Sequence, residues 1–506
     1  MIHITTSKLL RWLLIIWAFT GIGCLLITPL LYARWDGFLE QGEVTFSAVS
    51  WLLSQGHPLY TDLAAAERYS LQHGPVIYLV IGSVMKVLGP SYTTAKMANV
   101  VALLLSLVVS WLCFSKLTNK KVALYALGLE SWLLLHWPYA YLARPDSLIV
   151  LCVVISLYIA TTKENKLVLI LGTAVPLGIM ANLKIHGFAY FLPIMAILWP
   201  RLGWRNLLYV GALALMIGIA PFLLPEISFT NYTLWLQASV SHGILWHNIF
   251  AKVLLLTELV IILVAVGVIY RINLRDFYSR NRRLLTTFLL SLIIPVIVGS
   301  KAGSGTNHLM PFIPVFIYVM VLLINDIRQT AYLALPIRGT GAIKLSYFLL
   351  VLVFITTTAG GINGERRALK PILSYKKSKI LQELKSIEDR YAGKTLEIGY
   401  GEKDVSSLYR DIVPIPVFHG NPYLIDKVAL GDMIDSGLPI PPATLKRFDE
   451  GAVQVWLIPS GRAPFMAGPF DESLRSAFKR NYVLASKTHF FDIWVHNSVA
   501  GMTEAQ

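Results

Sequence analysis

GPVIYLVIGSVMKVLG, residues 74–89, is the stretch on which the topology of this chain turns. It is apolar apart from Lys86. As a helix it reaches only about 24 Å, short of the roughly 30 Å of a bilayer's hydrocarbon core. If it crosses the membrane, the next basic loop, SKLTNKK at 115–121, is extracytoplasmic with three lysines. If it lies along the surface, that loop falls inside, and so do the later basic loops at 163–166, 201–205, 271–283 and 326–344. With Lys8 and Arg11, 17 of the 25 basic residues before residue 364 are then cytoplasmic. Cytoplasmic loops carry an excess of Lys and Arg, so residues 74–89 are read as an interfacial helix.

The remainder of the chain reads as a polytopic membrane protein. It is 55% hydrophobic and 14% charged, with a mean hydropathy of +0.61, against about 25% charged residues in a soluble domain. Eleven apolar runs are read as spans: 12–31, 94–115, 121–139, 147–162, 166–182, 186–200, 205–225, 249–270, 284–300, 309–325 and 343–361. The first follows Lys8 and Arg11, is too long for a signal-peptide core and lacks a small-x-small cleavage site. It is read as a retained span with a cytoplasmic N-terminus, in the cell (inner) membrane. Eleven crossings leave the C-terminal segment extracytoplasmic.

The expected fold class is therefore a polytopic α-helical membrane domain, 1–362, with a first outer loop at 32–93, followed by a small extracytoplasmic α/β domain, 363–506. In that second part, Arg366 to Arg390 reads as helix. VQVWLIPS (453–460) and FFDIWVH (490–496) read as strands between Pro- and Gly-rich turns. The net charge is +15, yet residues 364–506 hold 19 basic and 17 acidic residues, so the excess sits in the membrane part. Short loops between spans account for it, and no nucleic-acid partner is expected. Cys24, Cys113 and Cys152 lie in apolar runs and read as buried free thiols.

The polar residues of interest gather on the outer face. LYARWDGFLEQGEV (31–44) places Asp36, Glu40 and Glu43 at the mouth of the first span, where a charge in lipid costs about 2.5–3.5 kcal/mol. QHGPVIY (72–78) supplies His73, ARPDS (143–147) supplies Arg144 and Asp146, and NLKIHGF (182–188) supplies Lys184 and His186. NYTLWLQASVSHGILWHN (231–248) is rich in aromatics, and SKAGSGTNHLMPFIP (300–314) supplies Lys301 and His308. Such a set suits a lipid-linked anionic sugar donor: cations hold a phosphate, apolar walls hold its tail, and a carboxylate deprotonates an acceptor hydroxyl.

Each residue also has a plain structural reading. Loop acids are ordinarily solvated, and Asp146 suits the cap of a span. Lys184 could snorkel, although the positive-inside bias disfavours lysine on this face. The same holds for Lys301, whose Gly-rich surroundings let backbone amides approach an anion. His73, Gly74 and Pro75 suit the entry to a helix. His242, His247 and His308 lack a metal-binding spacing, so no divalent ion is expected. Glu130 and Glu258 lie within spans, either functional or paired across helices. Trp235 and Trp246 read as interfacial belt.

The order of these motifs resembles the type C (GT-C) membrane glycosyltransferases, in the branch of the aminoarabinose transferases and protein O-mannosyltransferases. That branch has an acid after span one, then a helix ending in a small-residue-Gly pattern, here AVSWLLSQGHPLY. A Lys/His-x-Pro element follows, here HGPVIYLV, then an Asp after span three, here ARPDS. A Lys-Gly-like element (LKIHGF) and a basic, Pro-ended motif before a late span (KAGSGTNHLMPFIP) complete the series. The resemblance implies transfer of a sugar from a polyprenyl-phosphate carrier to a lipid, glycan or protein acceptor, with inversion. A first-loop acid would be the general base, without a nucleotide sugar or other cofactor. The family's adjacent Asp-Glu pair is absent, since Gly42 precedes Glu43. Glu43 matches its second member by spacing, Asp36 is nearer span one, and Glu40 is the third candidate. No Arg-rich element matches the late loop, so phosphate binding there would rest on Lys301 and His308. Competing readings are an O-antigen ligase or polymerase and, from another class, a lipid or glycan transporter or flippase. A transporter would place its ionisable residues at the midplane within inverted repeats.

Overall fold

The structure is a computed structural model that describes residues 2–500 apart from 70–72, 241–242, 270–273, 302–304, 331–339, 375–377, 402–406 and 467. His242, Arg271, Arg338 and the 302–304 part of the late Gly-rich loop lie outside the described residues. Among those described, nine helices are long and apolar enough to cross a membrane: Arg11–Arg34, Tyr92–Leu117, Pro145–Thr162, Lys166–Leu183, Ile185–Leu223, Trp246–Gly267, Arg275–Val298, Thr306–Asp326 and Phe348–Leu373. Two differences from the eleven expected spans have physical causes. The runs at 186–200 and 205–225 are two arms of the 39-residue Ile185–Leu223, broken where Gly203 adopts a φ of 70°. The run at 121–139 is a shorter helix, Lys120–Leu134. It starts at Asn119, whose side chain accepts from the Val122 N–H at 3.0 Å, and ends ahead of Pro138.

The chain divides into two compact units. The first comprises residues 1–32, 99–220 and 244–370, and the second 33–98, 221–243 and 371–506. In the first, helices approach through small residues, as bilayer packing requires when no hydrophobic drive separates protein from lipid. A Cβ on Gly128 would sit 2.5 Å from that of Ala18, and one on Gly178 would sit 2.6 Å from the Ala214 carbonyl. The two intramembrane acids find hydroxyl partners on other helices. Glu130 accepts from Ser110 at 2.9 Å, and Glu258 accepts from Thr356 and Thr357 at 2.8 and 2.9 Å.

In the second unit, the first outer loop holds two helices, Gln41–Ser54 and Val76–Leu88. The latter has 13 residues and is too short to cross a bilayer. It buries Ile77, Tyr78, Ile81 and Met85, leaves Val87 and Leu88 exposed, and crosses its partner where Gly82 lies against the Ser50 carbonyl. The C-terminal segment forms a four-stranded sheet of β1 (Leu396–Ile398), β2 (Val455–Pro459), β3 (Tyr482–Lys487) and β4 (Phe491–His496), in the order β1-β2-β4-β3. β1 and β2 run parallel and the other pairs antiparallel. An aromatic core fills one face, with Phe448 stacked on Trp456 at 5.5 Å and Phe465, Phe478 and Tyr482 around them.

This sheet domain and the first outer loop share one core. Ala66 belongs to the buried cluster around Phe448 and Trp456. Arg68 pairs like a strand residue, donating its N–H to the Leu424 carbonyl at 2.9 Å and accepting from Asp426 N–H at 2.7 Å. Asp426 is fully buried. One oxygen caps helix Lys427–Asp435 through Val428 and Ala429 N–H at 2.6 and 3.1 Å. The other accepts from Tyr423 at 2.6 Å and from Thr45 of the first outer loop.

Beside it, Glu397 accepts from Leu424 and Ile425 N–H at 2.8 and 3.0 Å. Burial pushes its carboxyl up to about 8, against the pull of those two donors. Since the unfolded value is about 4.3, the fold favours the neutral acid. That stabilisation is full below about pH 4.3 and lost as pH rises through about 8. The melting temperature of the detergent-solubilised protein is expected to fall from pH 5 to 8, and Glu397→Gln to flatten the decline. The slope removed is at most about 1.4 kcal/mol per pH unit. Scanning fluorimetry across that range checks it.

Candidate active site

The candidate residues fall in both units, and each group has its own architecture. In the first unit the centre is Asp146. Pro145 opens helix Pro145–Thr162, a position where the missing N–H is no loss, and Asp146 follows in its first turn with no exposed surface. Its Oδ1 accepts from Lys184 Nζ at 2.7 Å and from Asn307 Nδ2 at 3.1 Å, while its Oδ2 lies 3.6 Å from Arg144 Nε. The Arg144 guanidinium also covers the Tyr139 ring at 4.9 Å. Lys184 ends helix Lys166–Leu183, and the chain turns at once through Ile185–Gly187. That turn needs glycine at 187, because a Cβ there would run into the Met180 carbonyl.

Beside this ion pair lies a pair of imidazoles. His186 Nε2 is 3.0 Å from His308 Nδ1 and 3.2 Å from the Tyr190 hydroxyl, which donates to the His308 carbonyl at 3.0 Å. A Cβ on Gly299 would touch both Lys252 Cε and His308 Cβ, which places Lys252 next to His308. Lys252 is fully buried and donates to the carbonyls of Gly299 and Asn248. Lys301 follows on the same segment, pairs its backbone with Ile244, and burial pulls its ammonium below the ordinary lysine value. Arg144, Asp146, Lys184 and His308 are thus assembled from three separate interhelical segments.

In the second unit the acids take different positions. Glu43 is buried, and its Oε2 accepts from the N–H groups of Leu39 and Glu40 at 2.8 and 3.1 Å, the geometry of a capping box at the start of helix Gln41–Ser54. Asp36 is exposed and carries no hydrogen bond or ion pair among the described residues. Glu40 is half-buried at the helix N-cap. The turn that carries Asp36 wraps Lys96, whose Nζ donates to the Trp35 carbonyl at 2.5 Å and faces the rings of Trp35, Phe38 and Tyr92 at 5.4–5.8 Å. His73 packs edge-on against Phe46 at 5.0 Å, and its carbonyl accepts from Tyr60 at 2.6 Å.

Sequence reasoning did not single out Lys96, Tyr190, Lys252 and Asn307. Lys96 and Lys252 are lysines near ends of apolar runs that the expected topology puts outside, the same departure from the positive-inside pattern that marked Lys184 and Lys301. Asn307 carries no such signal, since a lone asparagine in a loop is commonplace.

No family model and no curated protein sequence matches the chain. Solved structures do. ArnT from Cupriavidus metallidurans bound to undecaprenyl phosphate superposes with a TM-score of 0.55 at 11% identity, covering 96% of this chain and 97% of that one. The same protein in the apo state gives 0.51 at 10% identity, covering 97% and 98%. The fold is that of a type C membrane glycosyltransferase. A looser likeness, with a TM-score of 0.45 at 10% identity, extends to an oligosaccharyltransferase from Archaeoglobus fulgidus, covering 94% of this chain and 74% of that one. The type C fold accounts for the order of outer-loop motifs, because it brings the ARPDS, LKIHG and TNH segments together inside one unit.

The Asp146 cluster makes a stability prediction. Removing one partner of a buried pair leaves an uncompensated charge, at about 3–5 kcal/mol. Asp146→Ala and Lys184→Met are each expected to lower the melting temperature of the purified protein markedly. The double variant Asp146→Leu with Lys184→Met is expected to regain part of that loss. Scanning fluorimetry of the three proteins in one detergent is the check.

Proposed function

We propose that this protein moves a sugar from a polyprenyl-phosphate carrier to an acceptor at the extracytoplasmic face of the cell (inner) membrane. The observation that carries this reading is a buried cluster, rich in cations, within a fold shared end to end with a protein that holds undecaprenyl phosphate. Arg144 and Lys184 face a single carboxylate, Asp146, while Lys252 lies against Gly299 and His308, and Lys301 follows two residues after that glycine. An anionic phosphate balances the remainder. Arg144 and Lys301 supply its donors, Lys184 and Asp146 set the local geometry, and His308 packs behind Lys252.

The reaction is a single displacement. A base withdraws the proton of an acceptor hydroxyl, and the acceptor oxygen bonds to the sugar's anomeric carbon. The bond from that carbon to the phosphate oxygen breaks, and the carrier phosphate leaves with the electron pair. One displacement inverts the anomeric centre. Cationic side chains stabilise the charge that grows on the leaving phosphate, and no divalent ion enters the step.

Asp36 is the base in this reading, because its carboxylate is exposed and unengaged while that of Glu43 is committed to two backbone N–H groups. Mass analysis of membrane lipids and glycans after deletion of the gene identifies the addition that disappears. Asp36→Asn is expected to fail to restore it, with transfer down by about 10²–10⁴. Glu43→Gln keeps a side-chain acceptor for the turn and is expected to restore it. The reverse pattern would exchange the two roles, and restoration by both variants would end the base assignment.

The proposed orientation has its own check. A reporter fused after residue 362 is expected to register the extracytoplasmic side, and a cytoplasmic signal would overturn the topology.

A further inference from the structure

The C-terminal domain and the first outer loop enclose a cleft of about 500 Å³ within the second unit. Pockets of this size hold small organic ligands. Tyr400 and Tyr409 contribute aromatic surface, and Gln41, Lys427, Asp432 and Asp435 contribute polar groups. We infer that this cleft is the acceptor subsite and that its occupant is an uncharged, hydroxyl-rich sugar. The inference rests on the sugar transfer proposed above and names the acceptor's chemical class.

Two observations lead there. The lining holds two cations, Arg410 and Lys427, and two carboxylates, Asp432 and Asp435, and Arg410 is already paired with Asp411, which disfavours an anionic headgroup. It mixes carboxylates and an amide with tyrosine rings. Sugar hydroxyls donate to carboxylates, and the C–H face of a sugar ring packs on an aromatic face.

The cleft also adjoins the turn that carries the candidate base. Gln41 begins helix Gln41–Ser54, five residues after Asp36. Arg410, in the cleft wall, donates to the Phe38 carbonyl at 3.2 Å and pairs with Asp411 at 2.9 Å. A sugar seated against Gln41 and Arg410 thus touches the segment that holds Asp36.

Saturation-transfer NMR on the full chain in detergent, with maltotriose, mannotriose and N-acetylchitobiose as probes, tests this. Ring protons of at least one probe are expected to receive saturation. A Cβ on Gly431 meets only Pro469, at 3.9 Å, so Gly431→Phe projects into open space and is expected to lower the signal at least threefold, as is Asp435→Ala. No saturation of any probe in the wild type, or undiminished signal in both cleft variants, overturns the assignment. A response to glycerol 1-phosphate in place of the sugars would overturn it in favour of a lipid headgroup. Binding is read without turnover, so restoration of the missing glycan by Asp36→Asn would refute the catalytic reading while leaving this one standing.

Discussion

A carboxylate sealed from water at the start of a membrane helix sets the terms for the first unit. Asp146 has no exposed surface, so its charge must be met by the protein. It is met from three segments far apart in sequence: Arg144 beside it, Lys184 after the next helix, and Asn307 near a late one. Each bond ties an outer loop to its neighbours, so the polar ends of several helices are held as one piece. Replacing buried ion pairs by well-packed apolar residues is often neutral or stabilising. Stability alone is therefore a poor reason to keep this cluster, and still less to add Lys252, which leans on two backbone carbonyls. On the proposed reading, an anionic phosphate gives the surplus of positive charge a reason.

Carboxylates serve a different end in the second unit. Asp426 spends its four acceptor sites on a helix cap, a tyrosine and a threonine of the first outer loop, and Glu397 spends both oxygens on backbone N–H groups. Among the described residues neither pairs with a cation, and burial raises both carboxyls above their ordinary values. These acids build structure. They fasten the segment 66–68 and helix Gln41–Ser54 to the sheet domain, so the first outer loop is a part of that domain's core rather than a free excursion between two spans.

Much of this was legible in the sequence, and the limits are physical. Apolar run length located the spans because hydrocarbon demands uninterrupted burial, and it failed where a kink at Gly203 and a short helix at Lys120–Leu134 departed from one run per crossing. Residues 74–89 were readable as a helix that does not cross because charge bias over many loops outweighs local hydropathy, and the 13-residue Val76–Leu88 is too short to span. Strands β2 and β4 announced themselves through apolar runs between turns, whereas the three-residue β1 is too short to carry a pattern. Arg144, Asp146 and Lys184 stood out as charges at helix ends. Their pairing did not, since nothing in the spacing of residues 146, 184 and 307 encodes a contact. Lys252 escaped notice because a lysine near a helix end has an ordinary explanation in snorkelling.

The three acids of the first outer loop show why residue type alone is an incomplete guide to chemistry. Asp36, Glu40 and Glu43 carry the same functional group within eight residues, and the turn they occupy divides their work. Glu43 turns inward to close the helix start, which fixes the backbone of Leu39 and Glu40. Lys96 holds the other side of the turn through the Trp35 carbonyl and three aromatic rings. A general base gains its rate from being in position before the reaction, and position is costly for a residue on an exposed loop. Here the backbone on both sides of Asp36 is anchored by buried groups while its own carboxylate stays in contact with solvent. An acid so placed can accept a proton without first breaking a bond to the protein.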